Sequence, residues 1–342
     1  MNNATAPLVS IIIPTYNREH ILKDAINSAL KQTYSNKQII VVDDGSIDGT
    51  RDVVNQFKGI KYIYQENGGQ GKARNTGLQH AQGVYIASLD SDDVWNPDFL
   101  EQCIEMLETH QLSFVFANWT QYSSDQRVFD FLKHTKLMDK YIDPSGKKWT
   151  VLDNALSREI YLNLCPSPSS SFVLRQESMY GAWHEQLNIA DDWCLLLDMV
   201  LLKGANAAFT TEKLWSKRTD GKNICDGRNI IELKEYLDIN DLRAILERYR
   251  EHLNEAEIAT FNERITRNMY ELYLIKLFML KLTANDHRML KNALSSNPLQ
   301  LINVIIDLTY RCLRKIIRTL INKVASPACY NEKPTRSEVL HP

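Results

Sequence analysis

The first ninety residues alternate short apolar runs with segments whose apolar positions recur at helical spacing. Residues 8–13 read as a buried strand, and residues 19–32 as a helix with Ile21, Leu22, Ala25, Ile26, Ala29 and Leu30 on one face. The pairing repeats. Residues 38–42 form a second predicted strand, 48–57 a helix, 60–64 a third strand, 71–81 a helix and 84–89 a fourth strand. Strict alternation of this kind predicts an α/β fold, a mainly parallel sheet covered by helices on both faces. Asn96-Pro97 would open the next helix, with Asn as N-cap and Pro at the first helical position, running to about His110. Residues 113–117 follow as a fifth strand.

The pattern weakens over 119–168, where Asp143-Pro144-Ser145-Gly146 marks a turn and substrate-specific loops would lie. It then resumes with a strand over 169–174, a helix over 191–203 ended by Gly204, and short strands over 206–217. From 229 to 324 the spacing is helical almost throughout, which places a boundary near Asp226. The expected organisation is a catalytic domain over 1–226, a helical C-terminal region over 227–326, and a disordered tail over 327–342 containing Pro327, Pro334 and Pro342. No internal repeat of fixed period is present.

Composition narrows the class. The chain has 342 residues, 44% of them hydrophobic, enough for a large domain with an appendage. Its 40 basic and 42 acidic residues give a formal charge of −2, so no global field favours nucleic acid. Six scattered cysteines without a Cys-x-x-Cys pair argue against zinc and against a disulfide framework, and suit a reducing cytoplasm. The first residues carry no signal-peptide pattern, and no stretch approaches the roughly 20 apolar residues of a membrane span. Asn118-Trp119-Thr120 fits a glycosylation sequon but lacks a secretory context.

The chemistry concentrates in four blocks, three of which directly follow apolar runs and so fall at strand ends, where open α/β sheets bind ligands. Pro14-Thr15-Tyr16-Asn17 puts an aromatic ring beyond the first strand, able to stack on a nucleobase; alone, it reads equally well as a turn with a half-buried tyrosine. Asp43-Asp44-Gly45-Ser46 ends the neighbouring strand, where a carboxylate can accept the imino hydrogen of a pyrimidine. Its likeness to an EF-hand fails, because Asn55 stands where a bidentate Glu is needed and a strand precedes it. Gly68-Gly69-Gln70-Gly71-Lys72-Ala73-Arg74 does not fit G-x-G-x-x-G; its flexible backbone would bring a helix start near a ligand, with Lys72 or Arg74 near phosphate or sugar hydroxyls. For either base the alternative is a solvated helix face. Asp90-Ser91-Asp92-Asp93 is the strongest signal: three carboxylates in four residues repel one another unless something cationic uses them. Mg²⁺ or Mn²⁺ holding a diphosphate meets that need, with Asp92 as ligand and another acid on a ribose or a metal-bound water.

In this order and spacing the blocks resemble family 2 glycosyltransferases of GT-A fold, over about residues 8–218. The resemblance implies that Pro14, Thr15 and Tyr16 line a nucleotide site beside Asn17, that Asp44 reads uracil, and that Asp90-Ser91-Asp92 is the Asp-x-Asp motif with Asp92 on the metal. It also points to Asp191-Asp192, where relatives usually carry Glu-Asp, as the catalytic pair: Asp192 as base, Asp191 as fallback. The rival reading is that both acids merely complement a helix N-terminus. A His expected after the last strand is missing from Trp215-Ser216-Lys217-Arg218-Thr219-Asp220-Gly221, so Lys217 or Arg218 would supply positive charge to the diphosphate. Gln-x-x-Arg-Trp, found in processive relatives, is absent, which implies single-sugar transfer.

Residues 299–324 combine Leu301, Ile302, Ile305, Ile306, Leu308, Leu313, Ile316, Ile317, Leu320 and Ile321 with Arg311, Arg314, Lys315, Arg318 and Lys323, with Asp307 the only acid. Such a helix either packs on its own domain or lies on an anionic membrane surface. The expected protein is an inverting, metal-dependent glycosyltransferase on the cytoplasmic face of a bacterial inner membrane. It would pass one sugar from a nucleotide-sugar donor, UDP-linked, to a glycan or glycolipid acceptor in lipopolysaccharide or capsule synthesis; an oligomer is compatible with this. Two rivals are a sugar-1-phosphate nucleotidylyltransferase, which would need a glycine-rich loop after the first strand, and a non-catalytic nucleotide-sugar-binding subunit, against which the acids at 44, 92 and 192 argue.

Overall fold

The structure, a computed structural model, describes residues 6–122, 128–136, 138–187, 189–218 and 228–310. The chain begins β1 (Val9–Thr15), α1 (Leu22–Leu30), β2 (Lys37–Asp43), α2 (Thr50–Asn55), β3 (Ile60–Tyr64), α3 (Gln70–Gln79) and β4 (Tyr85–Ser88). It continues with β5 (Asp93–Trp95), α4 (Phe99–Thr109), β6 (Phe114–Tyr122), β7 (Val128–Asp130), α5 (Phe131–Thr135), β8 (Trp149–Leu152), α6 (Asn154–Asn163) and β9 (Phe172–Arg175). Then come α7 (Asp191–Leu202), β10 (Ala207–Arg218), α8 (Ile230–Glu235), α9 (Leu242–Tyr249), α10 (Glu255–Phe278) and α11 (Ala284–Ser296). Residues 298–310 are helical as well.

Among the described residues the strands form one sheet in the order β3-β2-β1-β4-β9-β6-β10-β5, with β7 beside β6 and β8 beside β10. The β3-β2-β1-β4 half is parallel throughout, as the strand-helix alternation predicts. From β9 onward most pairings are antiparallel, β6 with β10 being the parallel exception. The pleat of β1 divides the core. Ile11 and Ile13 join Leu22, Ala25, Ile26 and Ala29 of α1 and Phe99, Leu100, Cys103 and Leu107 of α4 in one cluster. Ile12 turns the other way, under Gly77 of α3, while Ile40 and Val42 meet Ala73. Both faces are therefore buried, which is why the strands read as continuous apolar runs.

Four local expectations change. Asn96-Pro97 forms a turn instead of the helix start, and α4 opens after Asp98. The reason is that this turn is occupied: the Asn96 amide donates to the Lys213 carbonyl (2.9 Å), its own carbonyl accepts from Gln32, and the Pro97 carbonyl accepts from Thr33. The 119–168 stretch holds β7, α5, β8 and α6. Ser169–Ser171 is a tight turn before β9, and residues 207–218 make one long strand whose register shifts carry it past Thr210 and Lys213.

The chain divides into two compact units, Met1–Asn262 and Glu263–Pro342. The helical stretch from Ile230 belongs to the first: Arg248 pairs with Asp198 of α7 (3.0 Å), and Arg158 of α6 pairs with Glu257 (2.8 Å). In the second, Thr283 and Asp286 form a capping box on α11, Lys276 pairs with Asp286 (2.7 Å), and Arg267 with Asp307. The anticipated tail over 327–342 lies outside the described residues.

Gly83, between α3 and β4, shows how tightly β1 is packed. A Cβ there would lie 2.5 Å from the Ser10 nitrogen and 2.7 Å from the Leu8 carbonyl oxygen, neither of which can rotate away. Gly83→Ala should therefore lower stability by about 1–3 kcal/mol through overpacking, read from the urea unfolding midpoint. An unchanged midpoint would mean that β1 can yield at its start.

Candidate active site

β1, β2 and β4 end side by side, because Thr15 lies opposite Asp43 and Ile12 opposite Ser88 in the parallel register. The loops that follow are knitted together. Asn17 takes a left-handed backbone (φ 51°); its N–H donates to Ser46 Oγ (2.8 Å) and its side-chain oxygen accepts from the Ile47 N–H (2.9 Å). Gly45 has φ 89° and a Cβ would sit 2.8 Å from the Asn67 nitrogen, so the Asp-Asp-Gly-Ser turn needs glycine there. Tyr16 stands 48% exposed at this edge, whereas Pro14 and Thr15 are buried, and the Thr15 hydroxyl has no partner among the described residues.

Asp44 is buried and heavily used. One carboxylate oxygen accepts from Gln65 (2.7 Å) and the Gly68 N–H (2.9 Å), the other from the Gly69 N–H (2.8 Å). The glycine-rich segment thus wraps the acid at the end of β2 before α3 begins. Lys72 is exposed and lies along Gly68, while Arg74, two residues on and so on the opposite side of α3, is buried.

Arg74 is 2% exposed and joins three elements. Its guanidinium donates to Ser88 of β4 (3.2 Å), to Asp90 beyond β4 (2.6 Å) and to Asp191 at the start of α7 (2.7 Å). Gln70 donates to the second Asp191 oxygen (2.8 Å). Burial pushes the Asp191 carboxyl up to about 7 despite Arg74, helped by Asp192 and Asp90. Asp192 is partly buried, accepts from the Ser169 N–H (3.0 Å) and the Trp193 N–H (2.8 Å), and is also shifted upward by burial. Of the pair, Asp191 is committed to the scaffold and Asp192 retains access.

Asp90, Asp92 and Asp93 bring carboxylate oxygens within 4.8 Å of one another. Asp92 faces Arg18 at 3.5 Å, and burial and Asp90 push its carboxyl up to about 6. Asp93 is 1% exposed, both its oxygens lack a hydrogen-bond partner among the described residues, and burial pushes its carboxyl far upward. Lys217 lies opposite Asp93 in the β10-β5 register and acts on both acids electrostatically. Carboxylate oxygens this close together, with the two of Asp93 lacking a hydrogen-bond partner among the described residues, fit a hard divalent cation. Ser91 is buried between these acids, and Arg218 instead reaches Asp24 of α1 (2.8 Å).

Several members of this cluster escaped the reading of the sequence. Arg18 directly follows the Pro14–Asn17 block, and Gln70 lies within the glycine segment, so their positions offered a signal. Ser169 and Ser170 offered none: Ser170 Oγ accepts from the Asp90 N–H (3.0 Å) and its carbonyl from Trp95 (2.7 Å), contacts made only when β9 docks beside β4.

The raised carboxyls set a pH trend. Carboxyls whose pKa is higher when folded bind more protons folded than unfolded, so their contribution falls as pH rises from the ordinary value of 3.8 through about 6 for Asp92 and about 7 for Asp191. In EDTA the chain should melt at a lower temperature at about pH 8 than at about pH 5.5. A rising Tm over that interval would contradict the burial of these acids.

Comparison with known proteins agrees with this geometry. Glycosyl transferase family 2 matches residues 10–178. The chain is 42% identical over 133 residues to the Escherichia coli UDP-Glc:alpha-D-GlcNAc-diphosphoundecaprenol beta-1,3-glucosyltransferase WfgD, covering 38% of this chain and 53% of that protein. It spans about half the length of the curated relatives it matches. S. aureus TarS in complex with UDP-GlcNAc superposes with a TM-score of 0.59 at 20% identity, over 84% of this chain and 80% of that one. The mannosyltransferase PcManGT of Pyrobaculum calidifontis, solved with GDP-Man and Mn²⁺, gives 0.55 at 16% identity, over 89% and 87%. These two show a shared fold, the GT-A type. The domain that carries Tyr16, Asp44, Arg74 and the Asp90–Asp93 cluster belongs to glycosyl transferase family 2.

Proposed function

We propose that this chain is an inverting glycosyltransferase that moves one sugar from a UDP-linked donor to a hydroxyl of a growing, lipid-linked bacterial surface glycan. The observation that carries the reading is the convergence of Asp90, Asp92 and Asp93 with Asp191 and Asp192 around the buried Arg74. The name of WfgD, a glucosyltransferase acting on a diphosphoundecaprenol-linked sugar, supports the acceptor class, and TarS with UDP-GlcNAc supports a uridine donor.

In this reading Tyr16 stacks on the base and Asp44 holds both the glycine loop and the uracil imino group. Because Asp44 already accepts three hydrogen bonds, its loss would also loosen the loop. Asp192 takes the proton of the acceptor hydroxyl as that oxygen bonds to the anomeric carbon from the face opposite the diphosphate; the bond from that carbon to the diphosphate breaks and UDP departs. A carboxyl raised by burial holds such a proton better than an exposed one. Asp92, with Asp90 and Asp93, would hold a divalent cation, which when bound would supply neutralising charge to the leaving diphosphate. Lys217 adds positive charge on the β10 side.

The second unit is read as a membrane-surface contact. No helix among the described residues is long and apolar enough to cross a membrane. Leu299, Ile302, Ile306 and Tyr310 nevertheless stand 72%, 55%, 61% and 62% exposed on the helix over 298–310. The sequence continues with Arg311, Arg314, Lys315, Arg318 and Lys323, which lie outside the described residues. An apolar stripe running into a basic one suits an anionic lipid interface.

Two experiments test the proposal. A panel of UDP-, GDP- and dTDP-sugars, assayed for UDP or other diphosphate release with Mn²⁺ or EDTA, should show turnover with a uridine donor only when metal is present. Asp192→Asn should reduce that turnover by about 10²- to 10⁴-fold while UDP affinity stays near wild type, and Asp92→Asn should abolish the response to Mn²⁺. Preference for a guanine donor, activity in EDTA, or an unimpaired Asp192→Asn chain would each overturn the corresponding part. For the membrane contact, the chain should sediment with phosphatidylglycerol vesicles and not with phosphatidylcholine vesicles, and Ile302→Glu with Ile306→Glu should abolish this. Equal sedimentation with both lipids, or none, would refute it.

A further inference from the structure

The helix that starts with Asp191 and Asp192 lacks a cap of its own: Ala190 occupies the N-cap position and offers no side-chain acceptor. The backbone N–H groups ahead of the helix still need partners, since they are held away from water. Asp241 provides one. One of its carboxylate oxygens accepts from the Ile189 N–H (2.9 Å) and the Ala190 N–H (3.1 Å), and the side chain is 1% exposed. Asp241 comes from the other end of the first unit's sequence, fifty residues beyond the acids it supports.

The local backbone around Asp241 is unusual. Tyr236–Asp241 is a π-helical turn between α8 and α9, and Asp241 is its last residue. A π-turn adds one residue to the helical path and rotates the side chains that follow, and such turns recur at functional sites. Here it faces Asp241 toward α7 while α9 runs on to make a second attachment. Arg248 donates to both oxygens of Asp198 (3.0 Å each), and the Tyr249 hydroxyl lies 2.7 Å from the same carboxylate. Asp198 is 1% exposed and sits within α7. The π-turn therefore holds α7 at its origin through Asp241, and α9 holds it two turns later through Asp198.

We infer that Asp241 is a positioning residue for the catalytic acid Asp192: by fixing residues 189 and 190 it sets where the first turn of α7, and so the Asp192 carboxylate, stands relative to the acceptor hydroxyl. The inference rests on the proposed role of Asp192 as base. It makes the α8–α9 segment part of the catalytic apparatus, with a function separate from any acceptor or membrane contact of the second unit.

The test separates position from binding and from folding. In Asp241→Ala, UDP release from the UDP-sugar that the wild-type chain turns over fastest should fall by about 10- to 100-fold in kcat, as expected for a base displaced by about 1 Å, while KM for that UDP-sugar stays near wild type. Asp241→Asn keeps an oxygen for both amides and should restore most of the lost kcat. In the wild-type chain, the amides of Ile189 and Ala190 should exchange hydrogen as slowly as those inside α7. Wild-type kcat in Asp241→Ala, a matching rise in KM, or no rescue by asparagine would overturn the inference. So would fast exchange at residues 189 and 190, a measurement that stands even where the alanine chain does not fold. A fully active Asp192→Asn chain would instead overturn the proposed base, and is read separately from every Asp241 variant.

Discussion

The site depends on Arg74 being charged and buried between acids that come from different parts of the fold. Asp90 follows a strand, Asp191 opens a helix a hundred residues later, and the Arg74 guanidinium pairs with both. A guanidinium suits the position because its planar fork donates in several directions at once, here to Ser88, Asp90 and Asp191. An ammonium is a single point charge and could not span that set with fixed geometry. Removing either acid would leave Arg74 underpaired, and removing Arg74 would take the paired charge from both acids.

The sheet explains how these residues meet. The parallel half ends its strands on one edge, where Tyr16, Asp44 and Asp90 emerge from neighbouring strands. Beyond β4 the direction reverses, and antiparallel β9 starts beside the same edge with the Ser169–Ser171 turn. That reversal supplies backbone and hydroxyl groups to both acid clusters: Ser169 to Asp192, Ser170 to Asp90. Crevices at points where strand order or direction changes are natural ligand sites in open sheets. The crowding and burial of acids there has an energetic cost, reflected in the upward shifts of Asp92, Asp191, Asp192 and Asp93.

The helices after β10 show a division of labour that composition does not reveal. The segment from α8 to α9 is helical by pattern, yet the buried Asp241 of its π-turn and the exposed Arg248 of α9 both serve α7. Exposed apolar residues gather in the second unit, over 277–280 and on the helix over 298–310. A uniform helical reading of 229–324 merges two segments whose side chains do different work.

The sequence alone determined the parallel half of the sheet and placed most of the candidate site residues at strand ends. Apolar runs and helical spacing are local signals, and acids placed straight after a strand fall at its end whatever the rest of the chain does, so Tyr16, Asp44, Asp90 and Asp92 could be singled out from the pattern, whereas Asp191 and Asp192 were pointed to by the resemblance to the family. Arg74 could be named as a base near a ligand, but whether it faced solvent or the interior was open, because α3 has only a weak apolar stripe to orient it. Only the tertiary structure decided that it turns inward, that Asp191 is spent on it while Asp192 stays accessible, and that Asp93 is buried without a hydrogen-bond partner among the described residues. The same holds for Ser169, Ser170 and Asp241. Their roles arise from hydrogen bonds across 23, 80 and about fifty residues of sequence, and no local propensity encodes which distant backbone amide or carboxylate a buried polar group will meet.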